Sequence, residues 1–269
     1  MSAVRCLGLA RKFGELAAVA GLDLEVREGE IFGLLGPNGA GKTTAIRMLS
    51  TLLPPTAGTA AVAGHDIGRD PDAVRRSIGY VPQVVSAEGA LSGRENLLVF
   101  AKLYDIPRRE RAARLDAALA SVGLTDAADR PASTYSGGMV RRLEIAQSLL
   151  HKPRVLFLDE PTVGLDPVAR KAVWERIRQL RDTERMTVVL TTHYMEEADR
   201  LCDRVAILHK GRLVALGTPA ELKASIGDPA ASLEDVFTRV TGAQLEQAEG
   251  EGGGLDDAKR ARRTARRLA

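Results

Sequence analysis

The chain has few cysteines, few aromatic residues and no long apolar run. Its 2 cysteines among 269 residues, Cys6 and Cys202, cannot form a disulfide framework and do not match a metal-ligand spacing. We therefore expect them to be core residues of a protein from a reducing cytosol. No stretch approaches the ~20 apolar residues that a membrane-spanning helix needs, and the first residues lack a charged-then-apolar signal pattern. A partner is expected to supply any step within a membrane.

The chain also lacks a strong overall charge. The net charge is +3, but residues 255–269 hold six basic and two acidic residues, a balance of +4 that leaves −1 for residues 1–254. A nearly neutral main part argues against a nucleic-acid-binding face, so no nucleic-acid partner is expected. Residues 246–269, which are rich in glycine and then basic, are predicted to be a disordered tail. Contact of this tail with anionic lipid or ribosomal RNA is the alternative.

A glycine-rich loop is the clearest motif that is present. Residues 36–43 read GPNGAGKT and fit the pattern G-x-x-x-x-G-K-[ST]. An apolar stretch typical of a strand precedes the loop and a helical pattern follows it, so free N–H groups and the positive end of a helix dipole would face an anion. Gly39 and Gly41 allow the backbone to approach phosphates, Lys42 adds a positive charge, and Thr43 offers a hydroxyl to Mg²⁺. The loop predicts a nucleotide site.

Two adjacent carboxylates form a second motif. Residues 155–160 read VLFLDE, an apolar run typical of a buried parallel strand that ends in Asp159 and Glu160. Asp159 is predicted to hold Mg²⁺ through its water shell, and Glu160 to polarise the water that attacks the γ-phosphate. A capped turn at Pro161 would explain these residues in isolation, but the phosphate loop favours the functional interpretation.

A third motif is a second helix start suited to an anion. Ser136 is an N-cap type of residue, and Gly137 and Gly138 open an amphipathic stretch in which apolar residues recur at helical spacing. The phosphate loop in this chain needs no second element of this kind. The ligand of the helix start at Ser136 is therefore expected to come from elsewhere. An ordinary capped helix is the alternative.

In their order along the chain, these motifs resemble the ATP-binding subunit of an ABC transporter, and the resemblance covers about 240 residues. It implies an α/β fold with a P-loop NTPase core, an antiparallel β subdomain and an inserted helical lobe. It further implies ATP and Mg²⁺ as cofactors, with Glu160 and His193 as catalytic residues. The metal would be held with Thr43, Gln83 and Asp159.

The resemblance also assigns the nucleotide contacts. Phe13 matches the aromatic residue that stacks on adenine, Gln83 the Q-loop glutamine, and Asp166 the D-loop aspartate. The Ser-Gly-Gly signature would contact the nucleotide held by a second copy. The complete expected set is Phe13, Gly36, Pro37, Asn38, Gly39, Ala40, Gly41, Lys42, Thr43, Thr44, Gln83, Ser136, Gly137, Gly138 and Asp166.

The expected organisation is one ATPase domain over residues 1–245, with the helical lobe at about 84–135 and an accessory hairpin and helices at about 205–245. Residues 4–26 are predicted to form two short β segments separated by a loop that carries Phe13. The hairpin is predicted around Lys210 and Gly211, and the last helix over residues 232–240.

The resemblance implies a head-to-tail dimer that hydrolyses ATP and drives a separate integral membrane subunit from the cytoplasmic face of the membrane. The signature reads Tyr-Ser-Gly-Gly-Met instead of Leu-Ser-Gly-Gly-Gln. Together with SLEDVF at 232–237, it resembles the daunorubicin-resistance type of drug exporter. Export of a drug or antibiotic is therefore expected. The alternatives are export of another substrate such as lipid or polysaccharide, a nucleic-acid-linked ABC ATPase, and an adaptor that only binds ATP.

Overall fold

A computed structural model describes residues 1–228 and 231–252 of the chain, with side chains to residue 242. The chain divides into two compact units, Met1–Pro219 and Ala220–Ala269. The strands are β1 (Ser2–Phe13), β2 (Leu16–Arg27), β3 (Ile31–Leu35), β4 (Ala57–Val62), β5 (His65–Asp66), β6 (Ile78–Val81), β7 (Val155–Asp159), β8 (Thr187–Thr192), β9 (Arg204–His209) and β10 (Arg212–Gly217). The α-helices are α1 (Lys42–Leu49), α2 (Pro71–Ser77), α3 (Gly93–Leu103), α4 (Arg108–Ser121), α5 (Gly137–Leu149), α6 (Pro167–Glu184), α7 (Met195–Leu201), α8 (Pro219–Ala224) and α9 (Leu233–Gly252).

The centre of the first unit is a six-stranded sheet with the order β10-β9-β3-β8-β7-β6. Its strands from β9 to β6 are parallel, and β10 pairs antiparallel with β9. Every residue of β3, β7 and β8 is buried, as expected for parallel strands that are covered on both faces. The two predicted apolar strands are therefore confirmed, and their carboxyl ends meet at one edge of the sheet.

A smaller sheet, ordered β2-β1-β4-β5, confirms the predicted antiparallel β subdomain. The prediction of short strands was wrong, because β1 and β2 have 12 residues each. Phe13 is the last residue of β1 and does not lie on a loop. Only Gly14 and Glu15 separate the strands, and Gly14 has a φ of 56°, which suits a tight hairpin turn.

The predicted helical lobe contains α3 and α4, together with short 3-10 helices at Thr125–Ala127 and Ala132–Thr134. Helix α3 begins with a complete capping box, in which Ser92 and Glu95 bond each other's backbone N–H groups. A capping box fixes where a helix starts, so the direction of α3 is set by its own sequence.

The C-terminal elements differ in part from the expectation. The hairpin around Lys210 and Gly211 is present, but it extends the central sheet of the first unit because β9 pairs with β3. In the second unit, α9 continues to Gly252 and so includes the first residues of the predicted tail, 246–252. Glutamate, glutamine and alanine in that stretch are strong helix formers. Residues 253–269 of the predicted tail lie outside the described residues.

Both cysteines are buried free thiols, as predicted. Burial, with a smaller effect of Asp23, raises the pKa of Cys6 to about 12, and burial also raises the pKa of Cys202. Both thiols therefore stay protonated and pack as small apolar side chains. None of the helices in the described part of the chain has the length and apolar character that a bilayer-spanning helix needs.

Candidate nucleotide site

A cavity of about 860 Å³ opens beside the loop that joins β3 to α1. This volume is within the usual range of sites for small molecules and cofactors. The cavity is lined by Phe13, Leu16, Ala17, Ala18, Asn38, Gly39, Ala40, Gly41, Lys42, Thr43, Thr44, Gln83, Glu160 and Lys210. Ten of the predicted site residues therefore share one cavity.

The loop wraps around the amino group of Lys42. Lys42 Nζ donates to the carbonyl oxygens of Gly36 at 2.8 Å and Pro37 at 3.1 Å. Gly41, the N-cap of α1, has a φ of 100° and no side chain caps the helix there. A Cβ atom on Gly41 would lie 2.4 Å from the carbonyl oxygen of Ala18. The helix start is thus held close to β2 and its first residues line the cavity, where the free N–H groups of a first helical turn can bind phosphate.

Gly36 offers a direct test of how tightly this loop is packed. A Cβ atom on Gly36 would lie 2.3 Å from the backbone oxygen of Leu208 and 3.1 Å from Ala40 Cβ. Gly36→Ala should therefore lower the free energy of unfolding by about 1–3 kcal/mol, because backbone must move to make room. Urea denaturation followed by circular dichroism measures the change. Gly68→Ala is the control, since its Cβ would make an ordinary contact of 3.4 Å with Asp66. Equal stability of the two variants would contradict the predicted packing.

Asp159 stands at the end of β7, next to the hydroxyl groups of two threonines. Its Oδ1 accepts a hydrogen bond from Thr43 Oγ1 at 3.0 Å and from Thr191 Oγ1 at 2.6 Å. Mg²⁺ in nucleotide sites usually binds one or two carboxylates together with phosphate oxygens and water. The hydroxyl of Thr43 and the carboxylate of Asp159 are therefore a donor set that fits Mg²⁺, and Gln83 lies on the wall of the same cavity.

Glu160 lies between two other side chains that can carry charge. Its Oε1 is 3.3 Å from Lys42 Nζ, and its Oε2 is 2.8 Å from His193 Nδ1. Glu160 is only 5% exposed, and its N–H donates to Thr191 Oγ1 at 2.9 Å. The parallel strands β7 and β8 bring Glu160 and His193 together at the sheet edge, as the spacing of the two residues predicts.

Four other predicted residues lie together at two helix starts, where Ser136, Gly137 and Asp166 are exposed and Gly138 is buried. Ser136 caps α5 through Met139 N–H at 3.3 Å, and Asp166 caps α6 through the N–H groups of Val168 and Ala169. A Cβ on Gly138 would lie 2.8 Å from Ala169 Cβ, so the two helix starts are neighbours. Ser136, Gly137, Gly138 and Asp166 do not line the cavity. We call these four residues the signature surface.

Comparison with known proteins now identifies the family. The model of a family described as ABC transporter matches residues 19–163. The chain is 49% identical to the daunorubicin/doxorubicin resistance ATP-binding protein DrrA of Streptomyces peucetius, over 92% of this chain and 75% of that protein. The chain belongs to the ABC transporter family. Within the family it is an ATP-binding subunit.

Two further members of the ABC transporter family support the assignment. Linearmycin resistance ATP-binding protein LnrL of Bacillus subtilis is 42% identical over 81% of this chain and 70% of that protein. The solved structure of cbiO1 from Clostridium perfringens, part of the ABC transporter complex cbiONQ, has a TM-score of 0.76 and 28% identity. The matched region covers 84% of this chain and 92% of the cbiO1 chain. The predicted fold class is therefore confirmed for this ABC subunit.

Sequence reasoning did not identify several residues of the ABC subunit's cavity. Ala17 and Ala18 come from β2, and Lys210 comes from the turn between β9 and β10. The backbone links these elements, since Ala20 N–H donates to the Gly211 carbonyl at 2.8 Å. Small residues and a turn lysine carry no motif, so no local signal marked them.

Another residue that the motifs did not indicate is Glu197 on α7, which lies behind the site. Its Oε1 accepts hydrogen bonds from Thr162 Oγ1 and Trp174 Nε1, both at 2.8 Å. Burial raises the pKa of the Glu197 carboxyl, and these hydrogen bonds oppose part of that effect. Glu197 therefore ties the segment after His193 to the segment after Glu160.

Proposed function

We propose that the chain hydrolyses ATP at composite sites formed by two copies, and that the cycle powers export of a drug or antibiotic through a separate membrane subunit. The observation that carries the hydrolysis step is the position of Glu160, whose carboxylate lies between Lys42 Nζ and His193 Nδ1 at the cavity wall. In that place Glu160 can accept a proton from the attacking water while Lys42 and His193 face the γ-phosphate.

The predicted nucleotide contacts divide between two separate places, which supports a dimer. Residues of the phosphate loop line the cavity, whereas Ser136, Gly137 and Asp166 are exposed and lie outside it. A second copy in head-to-tail orientation would bring its signature surface to the open side of the first copy's phosphate loop. ATP between them would then be bound by both copies, and hydrolysis would remove that link.

The other residues of the site are proposed to bind the adenine, the phosphates and Mg²⁺. Phe13, which is 47% exposed at the mouth of the cavity, is proposed to stack on adenine. Thr43 and Asp159 would hold Mg²⁺, with Gln83 beside them, and the ion would neutralise phosphate charge. The backbone of residues 36–44 would bind the phosphate oxygens.

Two relatives support export of a drug as the purpose of this ATPase. DrrA and LnrL are named for resistance to daunorubicin or doxorubicin and to linearmycin. Identity of 49% over 92% of the chain extends well beyond the nucleotide motifs, which supports a shared role. The membrane subunit would hold this ABC protein at the cytoplasmic face of the membrane.

Transport in vesicles tests this function. The chain is co-expressed with its membrane subunit, which is sought as a six-span protein encoded next to its gene, and inside-out vesicles are given ATP, Mg²⁺ and doxorubicin, whose fluorescence reports uptake. We expect uptake with the wild-type chain and none with Glu160→Gln. Parallel vesicles are given linearmycin, whose uptake is measured by mass spectrometry. Phosphate release without uptake of either compound would overturn the proposed cargo and favour a lipid or polysaccharide. Absence of phosphate release would overturn the proposed hydrolysis.

A further inference from the structure

Arg141 on α5 is a buried cation that the predicted site does not include. It is 6% exposed, and Glu144, its partner one helical turn later, is 3% exposed. Arg141 Nη1 lies 3.0 Å from Glu144 Oε2. Removing two charges from water costs several kcal/mol per ion, and the cost is offset only where further hydrogen bonds satisfy both groups. Arg141 and Glu144 must therefore bind further polar groups.

The guanidinium of Arg141 binds the backbone of two separate segments. Its Nε donates to the Pro161 carbonyl at 2.9 Å and its Nη2 to the Glu160 carbonyl at 3.2 Å. Its Nη1 donates to the Pro82 carbonyl at 2.7 Å. A guanidinium has five N–H donors spread over three nitrogens in a rigid planar fork, whereas a lysine carries its three N–H donors on a single nitrogen. Arg141 can therefore bind both segments at once.

Glu144 fastens the second of these segments a few residues further on. Its Oε1 accepts hydrogen bonds from the backbone N–H of Ser86 and from Ser86 Oγ at 3.0 Å. The segment from Pro82 to Ser86, which includes Gln83, is thus held at both ends by one ion pair on α5. This segment leads from the central sheet into the helical lobe.

The backbone of Glu160 requires this kind of support. Its φ is 49°, in the left-handed region that residues with a Cβ seldom adopt, and such a strained conformation persists only where the surrounding structure holds it. Thr191 accepts from its N–H and Arg141 donates to its carbonyl, so the peptide groups on both sides of Cα are bound. The same Cα carries the carboxylate that faces Lys42 and His193.

We propose that Arg141, neutralised by Glu144, is a positioning residue that sets the Glu160 carboxylate in the site and couples it to the Gln83 segment. Helix α5 begins at the signature surface, so a ligand bound there acts on Glu160 and Gln83 through one rigid helix. This proposal rests on the proposed hydrolysis by Glu160. It concerns orientation and not contact with nucleotide, because Arg141 does not line the cavity.

The test compares Arg141→Lys with Arg142→Lys. The neighbouring Arg142 also binds carbonyl groups, those of Val122 and Gly123 at the end of α4, but reaches neither loop of the site. In Arg141→Lys we expect kcat for phosphate release to fall on the order of 10- to 100-fold, with KM for ATP within about twofold. Arg142→Lys should keep wild-type kcat. Hydrogen exchange should become faster in peptides covering residues 83–87 and 160–165 of Arg141→Lys alone.

Three outcomes would overturn the proposal. Wild-type kcat and exchange in Arg141→Lys would show that the pair does not position Glu160, and an equal loss in Arg142→Lys would show a general effect on the lobe. A rise in KM that accounts for the loss would place the effect on nucleotide binding. If Arg141→Lys does not fold, Glu144→Gln replaces it, with the same expected pattern. If the wild-type chain releases no phosphate, the proposed function fails, and hydrogen exchange still decides whether Arg141 holds the two segments.

Discussion

Glu160→Gln should bind ATP normally yet release phosphate at least about 100-fold more slowly than the wild type, because an amide cannot accept the proton of the attacking water. The substitution keeps the shape of the side chain and removes its charge. It also frees Lys42 from the ion pair of 3.3 Å that it makes with Glu160, so binding of the phosphates should not weaken. A coupled phosphate-release assay measures turnover, and calorimetry measures binding.

The same variant should reveal the proposed dimer, since ATP that is bound but not hydrolysed would keep both copies joined. Analytical ultracentrifugation of Glu160→Gln with ATP and Mg²⁺ should show a species of twice the monomer mass. Glu175→Gln, an exposed position on α6, is the matched control and should keep wild-type turnover. Wild-type turnover in Glu160→Gln would show that another group is the base. A strictly monomeric protein, alone and beside its membrane subunit, would contradict sites shared between two copies.

Lys42→Ala should abolish nucleotide binding, with Kd for ATP raised at least about 100-fold, as expected when a buried charge loses its partner. Lys42 is 4% exposed, and its amino group is held by the carbonyls of Gly36 and Pro37 at the centre of the loop. Isothermal titration calorimetry with ATP and Mg²⁺ measures the change.

Lys171→Ala, on the exposed side of α6, is the control and should bind ATP as the wild type does. Lys42→Ala also leaves Glu160 buried without its cation, so its thermal unfolding must be recorded alongside. A folded Lys42→Ala protein that binds ATP with wild-type affinity would mean that the cavity is not the phosphate site. The two substitutions also separate the steps, since one removes binding and the other removes hydrolysis only.

Much of the fold and part of the site could be predicted from local patterns. The phosphate loop could be predicted from its glycine positions and from the strand pattern before it and the helix pattern after it. Residues 36–43 therefore indicated both a loop between a strand and a helix and a nucleotide as its ligand. The meeting of Glu160 with His193 also followed from the sequence, because parallel strands present their carboxyl ends at one edge. The long β1 and β2 were missed, since the two-residue turn after Phe13 resembles a longer loop.

The sequence by itself determined the buried apolar strands, the phosphate loop and the family, because each is visible in a pattern of residues that are close along the chain. Only the tertiary structure decided which of two neighbouring arginines contacts the backbone of Glu160. Arg141 and Arg142 are alike in sequence, but consecutive helical residues point about 100° apart. That rotation buries Arg141 against Glu160 and Pro82 and directs Arg142 to the end of α4. Contacts between segments distant in sequence depend on how the elements pack, which no local pattern encodes.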